Sequence, residues 1–273
     1  RYISEDVPLG TAGAIKNAQE FLDSTFLVFN ADIISDIDIS DMMRFHKEKG
    51  AVATIAVTQV DNPSSYGVIE QDEDGYVTAF KEKPLPHESN SNLINAGVYI
   101  FEPEILNEIP SGRTVSIERE TYPLLLQKGF RIAAYNRCSY WLDLGTPGKY
   151  LKVHKDIMKG SIRIGSLDFN KHHQHISNTA IISESAKIIA PVYIGDNVKI
   201  GSYAVVGPNT VLRNDSSVGM GAKVIGSIVW DHAIIGSGAT VVNSVVMSNC
   251  SVNSNSEEYN VVLTEGTSHP IAV

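Results

Sequence analysis

An aliphatic residue recurs at every sixth position over one long stretch of the chain. The series is Ile182, Ile188, Ile194, Ile200, Val206, Leu212, Val218 and Val224. A period of six fits neither an α-helix nor the two-residue alternation of a simple strand. It predicts a solenoid of triangular cross-section, in which three hexapeptides form one turn and each aliphatic side chain points into a thin continuous core.

The repeat slips by one residue after Val224 and continues at Ile235, Val241 and Met247, as a short bulge between turns would produce. About four turns are expected, with neighbouring strands about 4.8 Å apart. A sandwich of short strands is the alternative, but agreement at so many successive positions favours the solenoid. Solenoids more often scaffold and assemble than catalyse, so any chemistry is expected upstream.

The 273 residues leave room for two domains, and composition and periodicity change near residue 160. The predicted organisation is an α/β domain over 1–160, a polar linker over 161–179, the solenoid over 180–252 and a tail over 253–273. A formal charge of −9 argues against general binding to nucleic acid or to an acidic membrane surface. Any bound phosphate would therefore need a local site.

The sequence carries no sign of membrane insertion or secretion. No apolar run approaches the roughly 20 residues of a membrane span, and no secretory signal is recognisable. Cys138 and Cys250 fall in different predicted domains and suggest no disulfide framework, so a reducing cytoplasm is expected. Because the chain opens on Arg1 and runs at once into what reads as mid-domain sequence, we expect a truncated chain.

The first domain is predicted to be α/β from the order of its elements. The apolar run over 25–30 reads as a buried strand with an acid after its carboxyl end, where open α/β sheets bind ligands. A helix over 40–49 and a strand over 51–57 follow, which indicates a crossover and a mainly parallel sheet. Asp74-Gly75 predicts a hairpin that ends near 81–84. Further strands are expected over 93–101, 131–135 and 141–144, and helices over 14–21, 117–128 and 147–159.

Five short motifs occur along this domain. They are Glu5 to Gly13 (EDVPLGTAG), Asn30 to Asp32 (NAD), Phe80 to Pro84 (FKEKP), Asn95 to Gly97 (NAG) and Trp141 to Pro147 (WLDLGTP). In this order, and followed by a hexapeptide repeat, they resemble the sugar-1-phosphate nucleotidylyltransferases, and within them the mannose-1-phosphate guanylyltransferase (GDP-mannose pyrophosphorylase) group. The resemblance implies a Rossmann-like nucleotidyltransferase domain followed by a left-handed parallel β-helix.

The resemblance also implies a reaction and its catalytic groups. A sugar-1-phosphate oxygen would attack the α-phosphorus of a nucleoside triphosphate, expelling pyrophosphate. By resemblance Asp32 and Asp143 hold Mg²⁺, a hard cation that takes carboxylate and phosphate oxygens. The alternative for an Asp after a strand is a turn or helix cap. Lys83 matches the lysine that holds the phosphate of the sugar-1-phosphate, the alternative being a solvated hairpin charge.

The remaining implied contacts are to sugar and nucleotide. Glu82 and Asn95 would bind sugar hydroxyls, with Gly97 letting the backbone come close, and Glu118 could face the same pocket or stay a surface helix acid. The backbone amides of one glycine-rich segment would meet the base and ribose; its members are Leu9, Gly10, Thr11, Ala12 and Gly13. Without the resemblance, that segment is only a flexible helix start.

One family signature, a Gly-rich phosphate loop of the form Gly-x-Gly-Thr-Arg, is not found in this sequence. In the family this loop wraps the phosphates and stabilises the leaving pyrophosphate. We therefore expect the 273 residues to be inactive alone unless a separate N-terminal segment supplies the loop, and we expect the sheet to be abnormal at one edge or completed by another chain.

Other functions stay open at this stage. A non-catalytic regulatory or assembly subunit of the same family is the main alternative. A hexapeptide acyltransferase would need a catalytic histidine, for which His232 is the candidate. The histidines 172, 173 and 175 could bind a metal, but a solvated linker is favoured. A homo-oligomer formed through the β-helix is expected.

Overall fold

The computed structural model describes residues 1–85, 88–89, 91–162, 169–170 and 172–271. The chain forms two compact units, Arg1–Trp141 and Leu142–Val273, which are described separately. Residues 163–168 and 171 of the predicted linker and residues 272–273 of the predicted tail lie outside the described residues.

The first unit contains both helices and strands. The helices are α1 (Gly10–Asn17), α2 (Ile39–Lys49) and α3 (Tyr122–Gln127), with 3₁₀ turns at Gln19–Phe21 and Pro103–Glu108 and a π-helical turn at Ile117–Thr121. The strands are β1 (Phe26–Phe29), β2 (Ile33–Ser35), β3 (Ala53–Gln59), β4 (Gly67–Gln71), β5 (Val77–Glu82), β6 (Leu93–Phe101), β7 (Ile132–Tyr135) and β8 (Trp141–Asp143), the last of which begins at the end of this unit.

The main sheet has the strand order β5-β4-β6-β3-β7, and β1 pairs with β6. Strands β1 and β3 both run antiparallel to β6, and β7 runs parallel to β3, so β1, β3 and β7 share one direction. The expected crossover from β1 through α2 to β3 is therefore present, but β6 lies between the two strands. Among the described strands, β1 pairs with β6 alone, so the other edge of β1 is open.

Hydrophobic side chains cover both faces of this sheet. Alternate residues of β6 point to opposite faces, so Val98 and Ile100 pack with Met42 of α2, whereas Tyr99 and Phe101 pack on the other side. That second side is closed by α1, α3 and the turns before α3. Asp38 caps α2 by accepting a hydrogen bond from the amide of Asp41 at 3.0 Å, which fixes where the helix begins.

Two helices differ from the sequence prediction. The glycine-rich run lies inside α1 and not before it, because Gly10 takes a φ of +69° and lets the chain turn directly into the helix. The helix predicted over 117–128 is divided into the π-helical turn and α3. Pro123 lies at the start of α3, where its missing N–H costs no internal hydrogen bond.

The second unit contains one helix and the solenoid. Helix α4 (Pro147–Met158) begins after Thr146, whose hydroxyl accepts from the amide of Lys149 at 3.3 Å. The strands are β9 (Gln174–Ile176), β10 (Ile181–Ile182), β11 (Lys187–Ile188), β12 (Val192–Ile194), β13 (Lys199–Ile200), β14 (Val205–Val206), β15 (Thr210–Leu212), β16 (Ser217–Val218), β17 (Lys223–Ile225), β18 (Ile228–Val229), β19 (Ile234–Ile235), β20 (Thr240–Val242), β21 (Val245–Val246), β22 (Ser251–Val252), β23 (Glu257–Tyr259), β24 (Val261–Thr264) and β25 (Thr267–Pro270).

These strands form a parallel β-helix with three faces. Two faces are five strands deep and the third holds seven strands, including the antiparallel hairpin β24–β25. The solenoid prediction is confirmed, with more strands on each face than the four turns expected. Helix α4 covers the seven-stranded face, where Leu151 and Met158 pack with Val211, Ile228 and Val245.

The slip in the repeat changes the length of later turns. Val192 pairs with Thr210, eighteen residues on, whereas Val211 pairs with Ile228 and Ile228 pairs with Val245, seventeen residues on. One side of each later turn is therefore one residue shorter. As a result Val246 is the buried inward residue, and the prediction that Met247 takes this position is wrong.

Residues with positive φ make the corners of the solenoid. Asn197, Asp215, His232 and Asn249 occupy equivalent corners in successive turns, with φ between 56° and 61°. Asn and Asp tolerate this left-handed conformation better than most residues do. His232 therefore occupies a corner position; its side chain is 61% exposed, with Nδ1 4.0 Å from Asp215 Oδ2.

Candidate functional site

A β-bulge in β6 shapes the candidate site in the first unit. Ile55 of β3 pairs with Tyr99 and Val57 pairs with Asn95, so the three residues of β6 between these pairs oppose the single residue Ala56 of β3. Gly97 lies inside this bulge with a φ of +72°, and a Cβ there would meet Ile33 Cδ1 at 2.4 Å. The Asn-Ala-Gly motif therefore marks a backbone shape that needs glycine.

The bulge permits a hydrogen bond that a regular strand would not. Residues four apart in an extended strand lie roughly 13 Å apart along the chain. Here Asn95 Nδ2 donates to the hydroxyl of Tyr99 at 2.8 Å, and Asn95 Oδ1 accepts from the amide of Gly97 at 2.9 Å. The backbone amide of Asn30 donates to the carbonyl of Gly97 at 2.9 Å, which attaches the Asn30 motif to the same point. The Asn95 amide group is thus fixed in orientation.

Two carboxylates border this polar cluster. Burial raises the pKa of Glu118, and the nearby charge of Glu82 raises it further, while the hydroxyl of Ser116 donates to Glu118 Oε2 at 3.0 Å. Burial likewise raises the pKa of Tyr99, with Glu118 the next cause. The structure therefore groups Glu82, Asn95 and Glu118 around buried Tyr99, which is an arrangement able to bind several hydroxyls of one ligand.

Lys83 lies at the end of β5 next to Glu82. Its side chain is exposed, its φ is +49°, and its amide donates to the carbonyl of Tyr66 at 3.0 Å. The ring of Tyr66 meets the ring of Trp141 edge to face at 5.6 Å, and Trp141 Nε1 donates to the carbonyl of Ala96 at 2.9 Å. These contacts join three of the sequence motifs in one region of the unit.

The glycine-rich segment docks against a distant part of the chain. The amides of Ala12 and Gly13 donate to the carbonyl of Val115 at 3.1 and 3.3 Å, and a Cβ on Gly10 would meet that oxygen at 2.7 Å. The amide of Leu9 donates to Glu5 Oε2 at 3.0 Å. The amides of Leu9, Ala12 and Gly13 are therefore already bonded within the protein, and a contact between the segment and a nucleotide stays a prediction.

The two predicted metal ligands fall in different units. Asp32 is exposed in the turn between β1 and β2, in the first unit. Asp143 is the last residue of β8, in the second unit, and both of its carboxylate oxygens accept from Lys149 Nζ, at 2.6 and 2.7 Å. Their pairing at one metal stays a prediction.

The donors present suit a hard cation that takes further ligands from a substrate. Within the described ranges, no group of three or more His, Cys, Asp and Glu side chains could hold a metal ion by itself. Asp143 nevertheless offers a partly buried carboxylate, and carboxylate oxygens are the donors that Mg²⁺ prefers.

Two of the three histidines predicted in the linker make contacts within the protein. The ring of His175 stacks on the ring of Tyr193, with the ring centres 4.6 Å apart, and His173 Nδ1 lies 3.1 Å from the carbonyl oxygen of Met158.

Sequence reasoning missed Tyr99 and Lys149. Tyr99 falls on the same face of β6 as Asn95 and Gly97 by two-residue alternation, and that spacing could have signalled it. Lys149 lies in the first turn of α4, where cations are unfavourable, and that position was the available signal.

Comparison with known proteins matches both parts of the chain. Residues 1–160 match the family described as Nucleotidyl transferase, and residues 188–268 match the one described as GMPPB C-terminal domain. A mannose-1-phosphate guanylyltransferase of Mycobacterium tuberculosis is 35% identical over 202 residues, covering 73% of this chain and 56% of that protein. A UTP–glucose-1-phosphate uridylyltransferase of Synechocystis is 33% identical over 247 residues, covering 81% and 64%.

A mannose-1-phosphate guanyltransferase of Candida albicans is 43% identical over 152 residues, covering 54% of this chain and 41% of that protein. The chain thus spans between 41% and 64% of the length of these three relatives. No helix in the described part of the chain is long and apolar enough to cross a membrane.

Proposed function

Because this chain belongs to the nucleotidyl transferase family, we propose that it serves nucleotidyl transfer from GTP to mannose-1-phosphate, giving GDP-mannose and pyrophosphate. The observation that carries the proposal is the cluster of Glu82, Asn95, Tyr99 and Glu118 beside Lys83. The names of the relatives from Mycobacterium tuberculosis and Candida albicans support the choice of base and sugar.

The charges around the cluster suit a phosphorylated sugar. Glu82 and Glu118 can accept hydrogen bonds from sugar hydroxyls, and the fixed amide of Asn95 can discriminate between hydroxyl orientations. Lys83 supplies a positive charge for the phosphate group at the edge of the same region. The sugar-phosphate oxygen forms a bond to the α-phosphorus, and the bond from that phosphorus to the bridging oxygen breaks as pyrophosphate leaves.

Two anions meet in this reaction, so their charge must be neutralised. Mg²⁺ would supply that neutralisation by binding phosphate oxygens together with carboxylates, for which we propose Asp32 and Asp143. Gly10, Thr11 and Leu9 would lie along the nucleotide, while Ala12 and Gly13 hold the segment on Val115. Gly97 would let a sugar approach the backbone closely, and the position has no room for a side chain, because a Cβ there would clash with Ile33.

We propose the functional division 1–160 for substrate binding, 161–179 as connection, 180–252 as β-helix and 253–273 as tail. The family match over residues 1–160 supports the first boundary. The second match, over residues 188–268, extends beyond residue 252, and strands β23 to β25 likewise continue the β-helix into the proposed tail. Compactness instead divides the chain after Trp141, because α4 packs on the β-helix. A cytoplasmic location and a homo-oligomer built on the β-helix complete the proposal, the first supported by two free cysteines.

Calorimetric titration tests the proposal at the level of binding. Mannose-1-phosphate is titrated into the chain and compared with glucose-1-phosphate, and GTP is compared with UTP, with chromatography following any GDP-mannose formed. The variant Lys83→Met should weaken sugar-phosphate binding about tenfold or more, because a charge-assisted contact is lost. Lys81→Met is the matched control. Lys81 lies in β5, two residues before Lys83, and its ammonium group pairs with Glu70 of β4 at 2.7 Å.

The outcomes separate the parts of the proposal. Preference for glucose-1-phosphate and UTP would replace the choice of substrates while keeping the reaction class. Tight binding of GDP-mannose without binding of either substrate would favour the regulatory subunit. Binding of no sugar phosphate at all would overturn the proposal.

A further inference from the structure

Lys149 and Asp143 form a close ion pair at the amino end of α4. Nζ of Lys149 lies 2.6 Å from Oδ1 and 2.7 Å from Oδ2 of Asp143. The two side chains are partly buried, with 33% and 21% of their surface exposed. Hydrogen bonds between ionised groups at this distance are among the stronger ones in proteins. Both oxygens of the Asp143 carboxylate therefore already face a cation.

The position of Lys149 is unfavourable for α4 itself. Its amide donates to the capping hydroxyl of Thr146, which places Lys149 in the first turn of the helix. The amino end of a helix carries partial positive charge, so a lysine there is repelled and a carboxylate is attracted. Helix stability therefore does not explain why a lysine stands at this point. Its ion pair with Asp143 offsets that repulsion.

We propose that Lys149 competes with the divalent cation for Asp143 and so sets how readily the site takes up metal. This inference rests on the proposed function, in which Asp143 is a metal ligand. A cation that reaches Asp143 must displace Lys149 Nζ or share the carboxylate with it, and two cations at one carboxylate repel each other. Lys149 thus lowers the affinity for metal alone while it holds the carboxylate in a defined orientation.

When the metal displaces Lys149, its ammonium group loses the ion pair with Asp143. A phosphate group that arrives with the metal replaces that negative charge, whereas metal alone does not. Metal and phosphate should therefore bind together better than the metal binds alone, with a coupling of the size common between linked sites. Lys149 would in this way tie metal uptake to the presence of substrate.

Binding of Mn²⁺ alone tests the competition without any turnover. The free Mn²⁺ signal in electron paramagnetic resonance is followed while the ion is titrated into the full chain. Lys149→Met should bind Mn²⁺ about tenfold more tightly than the parent chain, a typical size for a coupling between two sites. Lys149→Arg should stay close to the parent, because it keeps the positive charge. Lys152→Met, one turn away and paired with Asp156, is the control for loss of a charge from α4.

Asp143→Asn separates failure of this inference from failure of the proposed metal role. If Asp143→Asn abolishes binding of Mn²⁺ while Lys149→Met matches the parent, the competition is overturned and the metal role survives. If Asp143→Asn binds as the parent does, or no variant binds Mn²⁺, both are overturned. Thermal melting checks that each variant is folded, and Lys149→Gln replaces Lys149→Met if the latter does not melt cooperatively.

A second titration tests the link to phosphate. Mannose-1-phosphate should increase Mn²⁺ affinity several-fold in the parent chain, after correction for its own weak binding of the ion. The increase should shrink in Lys149→Met, because the displaced ammonium is no longer present. An equal increase in both proteins would contradict the inference.

Discussion

The β-helix and the sheet unit bury polar groups in opposite ways. In the β-helix, Thr210, Ser227 and Ser244 are fully buried at equivalent positions of successive turns, and each hydroxyl donates to the carbonyl two residues before it, at 2.8 to 3.3 Å. In the sheet unit, the hydrogen bond between Asn95 and Tyr99 is a single contact that does not belong to a repeat. A repeated contact stabilises a scaffold by redundancy, whereas a contact made once can shape a site for one ligand.

The largest effect should come from breaking the repeat inside the β-helix. Val206→Asp places a carboxylate in a fully buried position of the core and should cost more than about 4 kcal/mol of unfolding free energy. Val205→Asp is the control, because the side chain of Val205 lies on the outer face of the same strand. Urea unfolding followed by circular dichroism compares them. Equal midpoints would show that the inward and outward residues are assigned wrongly.

A smaller effect is expected at the bulge in the sheet unit. Gly97→Ala forces a Cβ to within 2.4 Å of Ile33 Cδ1 at positive φ, and should cost about 3 kcal/mol of unfolding free energy. Gly75 has a similar φ of +79° with nothing within 4 Å of an added Cβ. Gly75→Ala should therefore cost only about 1 kcal/mol. Urea midpoints that agree for the two variants would argue against the close packing at Gly97.

Two buried tyrosines differ in whether the hydroxyl group makes a hydrogen bond. Tyr99→Phe removes the hydrogen bond to Asn95 and should cost about 1 kcal/mol of unfolding free energy, with about fivefold weaker binding of mannose-1-phosphate. The hydroxyl of Tyr122 is buried without a hydrogen-bond partner in the described part of the chain, so Tyr122→Phe should be neutral or slightly stabilising. Chemical denaturation and calorimetry measure both. The same loss in both variants would mean that the Asn95 contact contributes nothing specific.

The smallest effect is a pH dependence at Glu118. Burial, and next the charge of Glu82, raise the pKa of Glu118 above its value in the unfolded chain. The folded state therefore holds the proton more tightly, and stability falls as the pH rises from the unfolded pKa, about 4.3, through the folded one. Glu118→Gln should melt about 2 °C higher than the parent at pH 8 and at the same temperature near pH 4. Melting curves that differ equally at both values would contradict this.

The sequence was most informative where one short pattern repeats. The six-residue period identified the inward residues from Ile188 to Val224, and Asp74-Gly75 identified the hairpin of β4 and β5. The one-residue shortening after Val224 was seen, but Met247 was placed inward instead of Val246. Any of the three sides of a turn can be one residue shorter, and the aliphatic pattern alone does not show which side it is.

The candidate site was less accessible from sequence because its contacts join distant residues. The resemblance named Asn95, Gly97 and Glu118 as site residues. It gave no sign that the carbonyl of Val115 accepts hydrogen bonds from the amides of Ala12 and Gly13, about a hundred residues earlier. Likewise a regular strand would keep Asn95 and Tyr99 apart, and the bulge opposite Ala56 brings them into contact.

Local order was thus determined by the sequence alone: the solenoid period, the hairpin at Asp74-Gly75 and the start of α4 follow from backbone geometry acting over a few residues. Only the tertiary structure decided which polar groups meet, at Gly97, at Val115 and between Lys149 and Asp143. The reason is physical, since hydrogen bonds and ion pairs act over a few ångströms and depend on how the elements pack, which no local pattern records.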